Sequence, residues 1–149
     1  MPVVARPIRI AAVVLAALAF AGCAEEPVRK PPCSYVDPAS VERAFGISGT
    51  DVSESPVWCR MEAEGFRFQV SVKLYDGGSL LPNGDGGYRV TAVDGVGDEA
   101  HLLADEDYQL IVARRADLFF SVSVSRDAGL TDDGGTLTDF AKRVDAQLV

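Results

Sequence analysis

Phe66, Phe68, Val70, Val72 and Leu74 are apolar, and Arg67, Gln69, Ser71 and Lys73 stand between them. Side chains that alternate with period two cannot share one face of a helix, whose faces repeat every 3.6 residues. The stretch is therefore a long strand with one buried and one wet face. Glu64-Gly65 ahead of it reads as a hairpin turn leading back to a strand over residues 57–61. Further strands are expected over residues 88–93, 100–104, 108–114 and 118–125, with Arg115-Ala116-Asp117 turning between the last two. In the last strand Phe120, Val122 and Val124 point one way and Ser121, Ser123 and Ser125 the other, which is the patterning of an antiparallel sheet with one polar face.

Helices flank the strands. Asp37 can cap a first helix, Pro38 suits its first turn and Gly46 its stop; Val41, Ala44 and Phe45 share one face. A second helix is expected to open at Thr136, with Thr136 as cap and Asp139 three residues on, in the manner of a capping box. Leu137, Phe140, Ala141, Val144 and Leu148 form its apolar stripe. Helix, about six strands, helix describes an α+β domain over residues 33–149, with both helices packed on an antiparallel sheet. At 149 residues, 48% hydrophobic and 24% charged, the chain has the size and composition of one globular domain with short appendages.

The first of these appendages is distinctive. Arg6 and Arg9 form a positive start, and Ile10 to Phe20 is an uncharged apolar run. That run has the length of a signal-peptide core and falls short of the roughly 20 residues a membrane-spanning helix needs. Phe20-Ala21-Gly22-Cys23 then fits the bacterial lipobox, with Phe20 in place of the usual Leu. The small Ala21 and Gly22 give a signal peptidase access to the backbone, and the Cys23 thiol is positioned to take a thioether-linked lipid. Residues 1–22 thus read as a lipoprotein signal peptide, and Cys23 as the lipidated first residue at the extracytoplasmic face of the cell membrane. Two or three acyl chains, palmitate among them, anchor stably where one is marginal. Residues 23–32, rich in proline and charge, read as an extended tether.

Export bears on the other cysteines. Cys33 and Cys59 are the pair left after Cys23 is lipidated, and an exported pair is expected to form one disulfide. They lack the Cys-x-x-Cys spacing of a redox pair, so the bond is read as structural. Cleavage also removes Arg6 and Arg9, taking the formal charge from −8 to −10. So acidic a surface argues against nucleic acid as a partner and against electrostatic docking on anionic lipid.

Chemistry-bearing groups are sparse. His101 is the single histidine, and no Gly-x-Ser-x-Gly elbow surrounds a serine. Asp94, Asp98, Glu99, Asp105, Glu106 and Asp107 lack the spacing of a calcium loop and read as a solvated acidic turn. Gly95-Val96-Gly97 runs into Asp98-Glu99, which would repel a phosphate. No catalytic set, metal site or cofactor is expected. The loop over residues 76–87 has two readings: a plain connection, or a binding lip with Leu80 and Leu81 as apolar contacts and Asn83 and Asp85 beside them. Trp58 has two readings, an exposed contact aromatic or, preferred for its place beside Cys59, a ring packed on the disulfide. Phe119, on the serine-rich face with Ile111 beside it, forms either a small partner patch or a surface under a loop.

Cys33-Ser34 followed by Pro38 and Ala44-Phe45-Gly46 resembles the opening motif of small actinobacterial lipoproteins catalogued as domain of unknown function 3558. Trp58 beside Cys59 is similar to that family's second cysteine segment, Val96-Gly97-Asp98-Glu99-Ala100 to its central motif, and Val112-Ala113-Arg114-Arg115 to its late one. The resemblance covers residues 33–149 and the lipobox. It implies export, a lipid anchor and one disulfide, and it brings no activity with it. The expectation is a noncatalytic envelope module that binds an envelope protein or a small hydrophobic ligand. The alternatives are an enzyme acting on cell wall or lipid through His101 and carboxylates, or a sensory accessory of another envelope protein.

Overall fold

The computed structural model describes residues 29–84 and 86–148. The stretch expected to be a signal peptide, Cys23, the first part of the expected tether and Asp85 lie outside the described residues. After a 3-10 turn at Pro32–Ser34 come α1 (Pro38–Phe45), β1 (Asp51–Glu54), β2 (Trp58–Ala63), β3 (Phe66–Leu74), β4 (Arg89–Ala92), β5 (Glu99–Ala104), β6 (Tyr108–Arg115), β7 (Leu118–Arg126) and α2 (Gly135–Asp145). The strands form one sheet in the order β1-β2-β3-β7-β6-β5-β4, and every neighbouring pair is antiparallel. This is the expected α+β architecture with seven strands instead of about six. The additional strand is β1, an edge strand whose four residues are all exposed, so it carries no burial pattern to read.

Both helices pack on one face of the sheet. Phe68, Val70, Ile111, Phe120, Val122 and Val124 are buried there against Val41, Leu137, Phe140, Ala141 and Val144. Phe45 stacks on Phe140 at 6.1 Å between centroids, and Phe68 meets Phe140 edge-on at 5.2 Å. α1 is delimited as its sequence indicates: Asp37 accepts from the Ala39 amide at 3.3 Å and the Ser40 hydroxyl at 3.0 Å, and Gly46 turns left-handed at φ +65°. Arg126 Nη1 donates to the Phe45 carbonyl at 3.0 Å and ties the end of α1 to β7.

Four local expectations are corrected. Ala44 is exposed, and Ile47 packs on the core beyond the helix stop. Leu74 continues the alternation of β3 past the layer of helices and is 49% exposed. Ile111 lies wholly within the core and not beside Phe119. The N-cap of α2 lies two residues earlier than expected, at Gly134, with no side-chain cap from Thr136. Asp132 does that work instead, accepting from the Gly134 amide at 2.9 Å and the Thr136 amide at 3.3 Å. A residue with a Cβ at Gly134, where φ is +98°, would run into the Leu102 side chain.

The topology then decides what covers the other face. β3 lies at the centre of the sheet and β4 at its edge, four strand spacings or about 19 Å away. The connecting loop crosses β7, β6 and β5 on the face opposite the helices. Leu80 is buried on Leu103 and Val112, with Tyr75, Leu81, Tyr88, Leu110 and Phe119 packed around them.

Candidate functional site

The β3–β4 loop divides the face opposite the helices into a covered part over β5, β6 and the Phe119 end of β7, and an open part over β2, β3 and the rest of β7. Register places the side chains of the open part. Trp58 pairs with Ser71 and Ser71 with Ser121; Arg60 pairs with Gln69 and Gln69 with Ser123. These are the alternate residues whose neighbours fill the core, so each points away from the helices. The polar groups are linked: Arg60 Nε donates to Gln69 Oε1 at 3.0 Å, and Gln69 Nε2 donates to Ser71 Oγ at 3.2 Å. The Arg60 guanidinium lies 4.7 Å from the centre of the Trp58 ring. At the rim, Lys73 Nζ lies 5.0 Å from the Phe119 ring, and Arg67 pairs with Glu62 at 2.6 Å. The result is a half-buried row of hydroxyl, amide and guanidinium groups beside one large aromatic ring. A surface of this kind can hydrogen-bond and stack against a polar partner.

Trp58 departs from the preferred of its two readings. Consecutive strand residues face opposite ways, so Cys59 enters the core while Trp58 faces out. Trp58 therefore packs on Arg60 and not on the disulfide. Cys33 and Cys59 do form the expected bond, closing a separation of 26 residues and fastening the 3-10 turn to β2.

The loop residues do not act together. Leu80 is 8% exposed and Leu81 half-buried, both turned onto the sheet, while Asn83 is exposed. The loop braces itself: Asp76 accepts from the Gly78 amide at 2.9 Å, Ser79 Oγ from the Leu81 amide at 3.2 Å, and the Tyr75 hydroxyl donates to the Gly78 carbonyl. Phe119 lies against this loop cluster, the second of its two readings. Burial raises the Tyr108 hydroxyl above its ordinary range, the nearby Tyr88 adds to that, and a hydrogen bond with Ser123 opposes it.

His101 Nε2 contacts Glu99 Oε1 at 3.0 Å on the same outward face of β5. The hydroxyl on its row is that of Ser121, two strands away through Val112, or roughly 10 Å. Among the described residues no three His, Cys, Asp or Glu side chains gather as a metal site. The acidic residues have separate uses. Asp105 accepts from the Asp107 and Tyr108 amides at 3.1 and 2.8 Å in the β5–β6 turn. Asp98 accepts from the Ala116 amide at 2.7 Å and lies 3.8 Å from Arg114 and 3.6 Å from Arg115.

This last contact explains the stretch Val96-Gly97-Asp98. Val96 is buried, and the Asp98 amide donates to the Arg114 carbonyl at 2.7 Å. At Gly97, where φ is +58°, a Cβ would overlap that same carbonyl. Arg115 reaches on to Asp145 at the end of α2, donating from Nε at 2.7 Å and also from Nη2. The segment between β4 and β5 is thus a clasp joining the end of β6 and the turn after it to α2.

Fold and surface together define an extended α+β sheet domain with one face closed by helices and the other half open. Compared with protein-family models, with curated proteins and with solved structures, the chain matches none. Among the described residues no helix is long and apolar enough to cross a membrane.

Proposed function

We propose that the chain is a lipid-anchored extracytoplasmic lipoprotein of the kind resembled by the family catalogued as domain of unknown function 3558, and that its domain binds a partner without chemical turnover. The positive start, the apolar run and Phe20-Ala21-Gly22-Cys23 support the anchor, with Cys23 carrying the lipid. The Cys33–Cys59 bond is in keeping with an oxidising compartment. The observation that carries the binding reading is the open half-face, where Trp58, Arg60, Gln69 and Ser71 stand in one linked row. Its polarity favours an envelope protein over a small hydrophobic ligand.

The test is a photo-crosslinking amino acid placed at Ser71 or Ser121 in the native envelope, with a third placement at Asp139 on the exposed side of α2 as control. A discrete adduct from the first two positions and none from the third supports the reading. Equal, diffuse labelling from all three counts against it. The anchor is tested separately by the intact mass of the membrane-bound protein. The Glu99–His101 contact at 3.0 Å keeps an enzymatic reading in view. If His101→Gln abolishes the protein's cellular effect while leaving the Ser121 adduct unchanged, turnover and not binding is the function.

A further inference from the structure

The chain is acidic as a whole, yet one corner of the sheet is not. Where β2 begins and β3 ends, a shallow hollow is lined by Arg29, Lys30, Pro32, Pro56, Val57, Val72, Lys73 and Leu74, three of them cations and none a carboxylate. Val57 is 47% and Leu74 49% exposed, among the largest apolar exposures in the described residues. The same corner is where the tether leaves the domain. Arg29 stands six positions after Cys23, a reach of about 20 Å at full extension.

Carboxylates stand at both ends of the strands, so the lining of the hollow itself sets this corner apart. Glu64, Asp105, Glu106, Asp107 and Asp127 occupy turns at the opposite end, as the pairings Ala63↔Phe66, Phe66↔Arg126 and Tyr108↔Ser125 show. At the hollow's own end stand Glu54, which accepts from the Cys33 amide at 2.9 Å, and Asp76, Asp98, Glu99 and Asp117, all outside its lining, which confines any contact with an anionic surface to the β2–β3 corner itself.

We infer that this corner is a membrane-docking surface: Val57 and Leu74 settle among the headgroups of the bilayer that holds the Cys23 lipid, and Arg29, Lys30 and Lys73 pair with anionic phosphates there. The inference rests on the anchor proposed above. It refines the expectation drawn from net charge, because attraction to an anionic leaflet depends on the charges within a Debye length, about 8 Å at physiological salt, and not on the whole molecule. Docking would also fix which way the domain stands, leaving the far carboxylates and the open half-face accessible to a partner.

The chain has three lysines, Lys30, Lys73 and Lys142, and Lys142 is exposed on α2. Their reactivity toward a low dose of an acetylating reagent reports what the bilayer covers. The lipidated full-length protein is reconstituted on phosphatidylcholine vesicles with and without phosphatidylglycerol, both free of amines. Lys30 is held near the surface by the tether alone, so Lys73 decides.

With anionic lipid, acetylation of Lys73 should slow about tenfold, as expected when several cations each favour the anionic surface, while Lys142 stays unchanged. Val57→Asp with Leu74→Asp should restore the Lys73 rate while the intact mass still shows the lipid. Equal Lys73 rates on both vesicles, or equal slowing of Lys73 and Lys142, overturns the docking surface alone. Protection of Lys73 in native membranes but not on pure lipid vesicles overturns it in favour of a protein at this corner. An intact mass without lipid on Cys23 removes the anchor, and the docking surface with it.

Discussion

Replacing Arg115 by Met should cost this domain about 3 kcal/mol, near the low end of what breaking a buried ion pair costs. The value follows from the partner left behind. Asp145 has a side chain only 7% exposed, and Arg115 supplies two of its hydrogen bonds. Burial by itself would push the Asp145 carboxyl up; the Arg115 hydrogen bonds, the Gly97 amide and the guanidinium charge outweigh burial and hold it below its ordinary value. The Arg115 side chain is 30% exposed, so water can relax part of the loss, which argues for the low end of the range.

Urea unfolding should show the midpoint falling by about 2 M with an unchanged slope, and heating a drop in Tm of roughly 10 °C. pH supplies the more discriminating readout. In the parent protein Asp145 has a depressed folded-state pKa, so its contribution is full above its unfolded value, about 3.9, and is lost as pH falls through the folded one. In the variant, burial is left to raise the same group, and acid relieves the uncompensated charge by protonating it. The stability difference between the two proteins should therefore be largest near neutrality and shrink below about pH 4. Asp145→Asn added to Arg115→Met should recover at least half the loss, since the amide oxygen still accepts from Gly97. A cost under about 1 kcal/mol, or one that does not change with pH, would refute the view of the clasp as a buried charge pair.

Three further outcomes are expected. Opening the Cys33–Cys59 bond with reductant, or by Cys59→Ser, should lower stability by roughly 3.5 kcal/mol in urea titrations, the chain-entropy value for its loop of 26 residues. Leu80→Ala should destabilise by about 2 kcal/mol and remove hydrogen-exchange protection first from the segment between β3 and β4, whereas a Leu80 held ready for a ligand would leave stability unchanged. Gly97→Ala should cost at least about 2 kcal/mol, because the positive φ and the Arg114 carbonyl both oppose a side chain; an unfolding midpoint equal to the parent's would show that the clasp can yield.

Local signals in the sequence correspond to the structure wherever one short segment settles the matter. Asp37, Pro38 and Gly46 delimit α1 because capping and left-handed geometry are properties of a few adjacent residues. The alternations of β3 and β7 are visible because both strands lie at the centre of the sheet with one face wholly buried. Asp51-Val52-Ser53-Glu54 shows no such pattern, since an edge strand outside the helix layer is exposed throughout. Trp58 is a different case: its place opposite Cys59 follows from strand period, and adjacency in sequence is a poor guide to adjacency in a sheet. Asp132 as the helix cap depends on a glycine turn between it and Thr136, a geometry that favours no single spacing in advance.

The open row is legible only in part, and the reason lies in the topology. The polar positions of β3 and β7 can be read one strand at a time as a wet face. Their alliance with Trp58 and Arg60 depends on β7 returning beside β3, a pairing made across some fifty residues of chain. That return also forces the loop after β3 to reach the far edge over the outward face. Leu80 follows from the same constraint, because a crossing loop has to bury something against Leu103 and Val112 to stay down. One crossover thus accounts for both halves of the surface. It explains why the apolar residues of the loop are turned inward and why the strands left uncovered beside it, β2, β3 and most of β7, carry serine, glutamine and arginine.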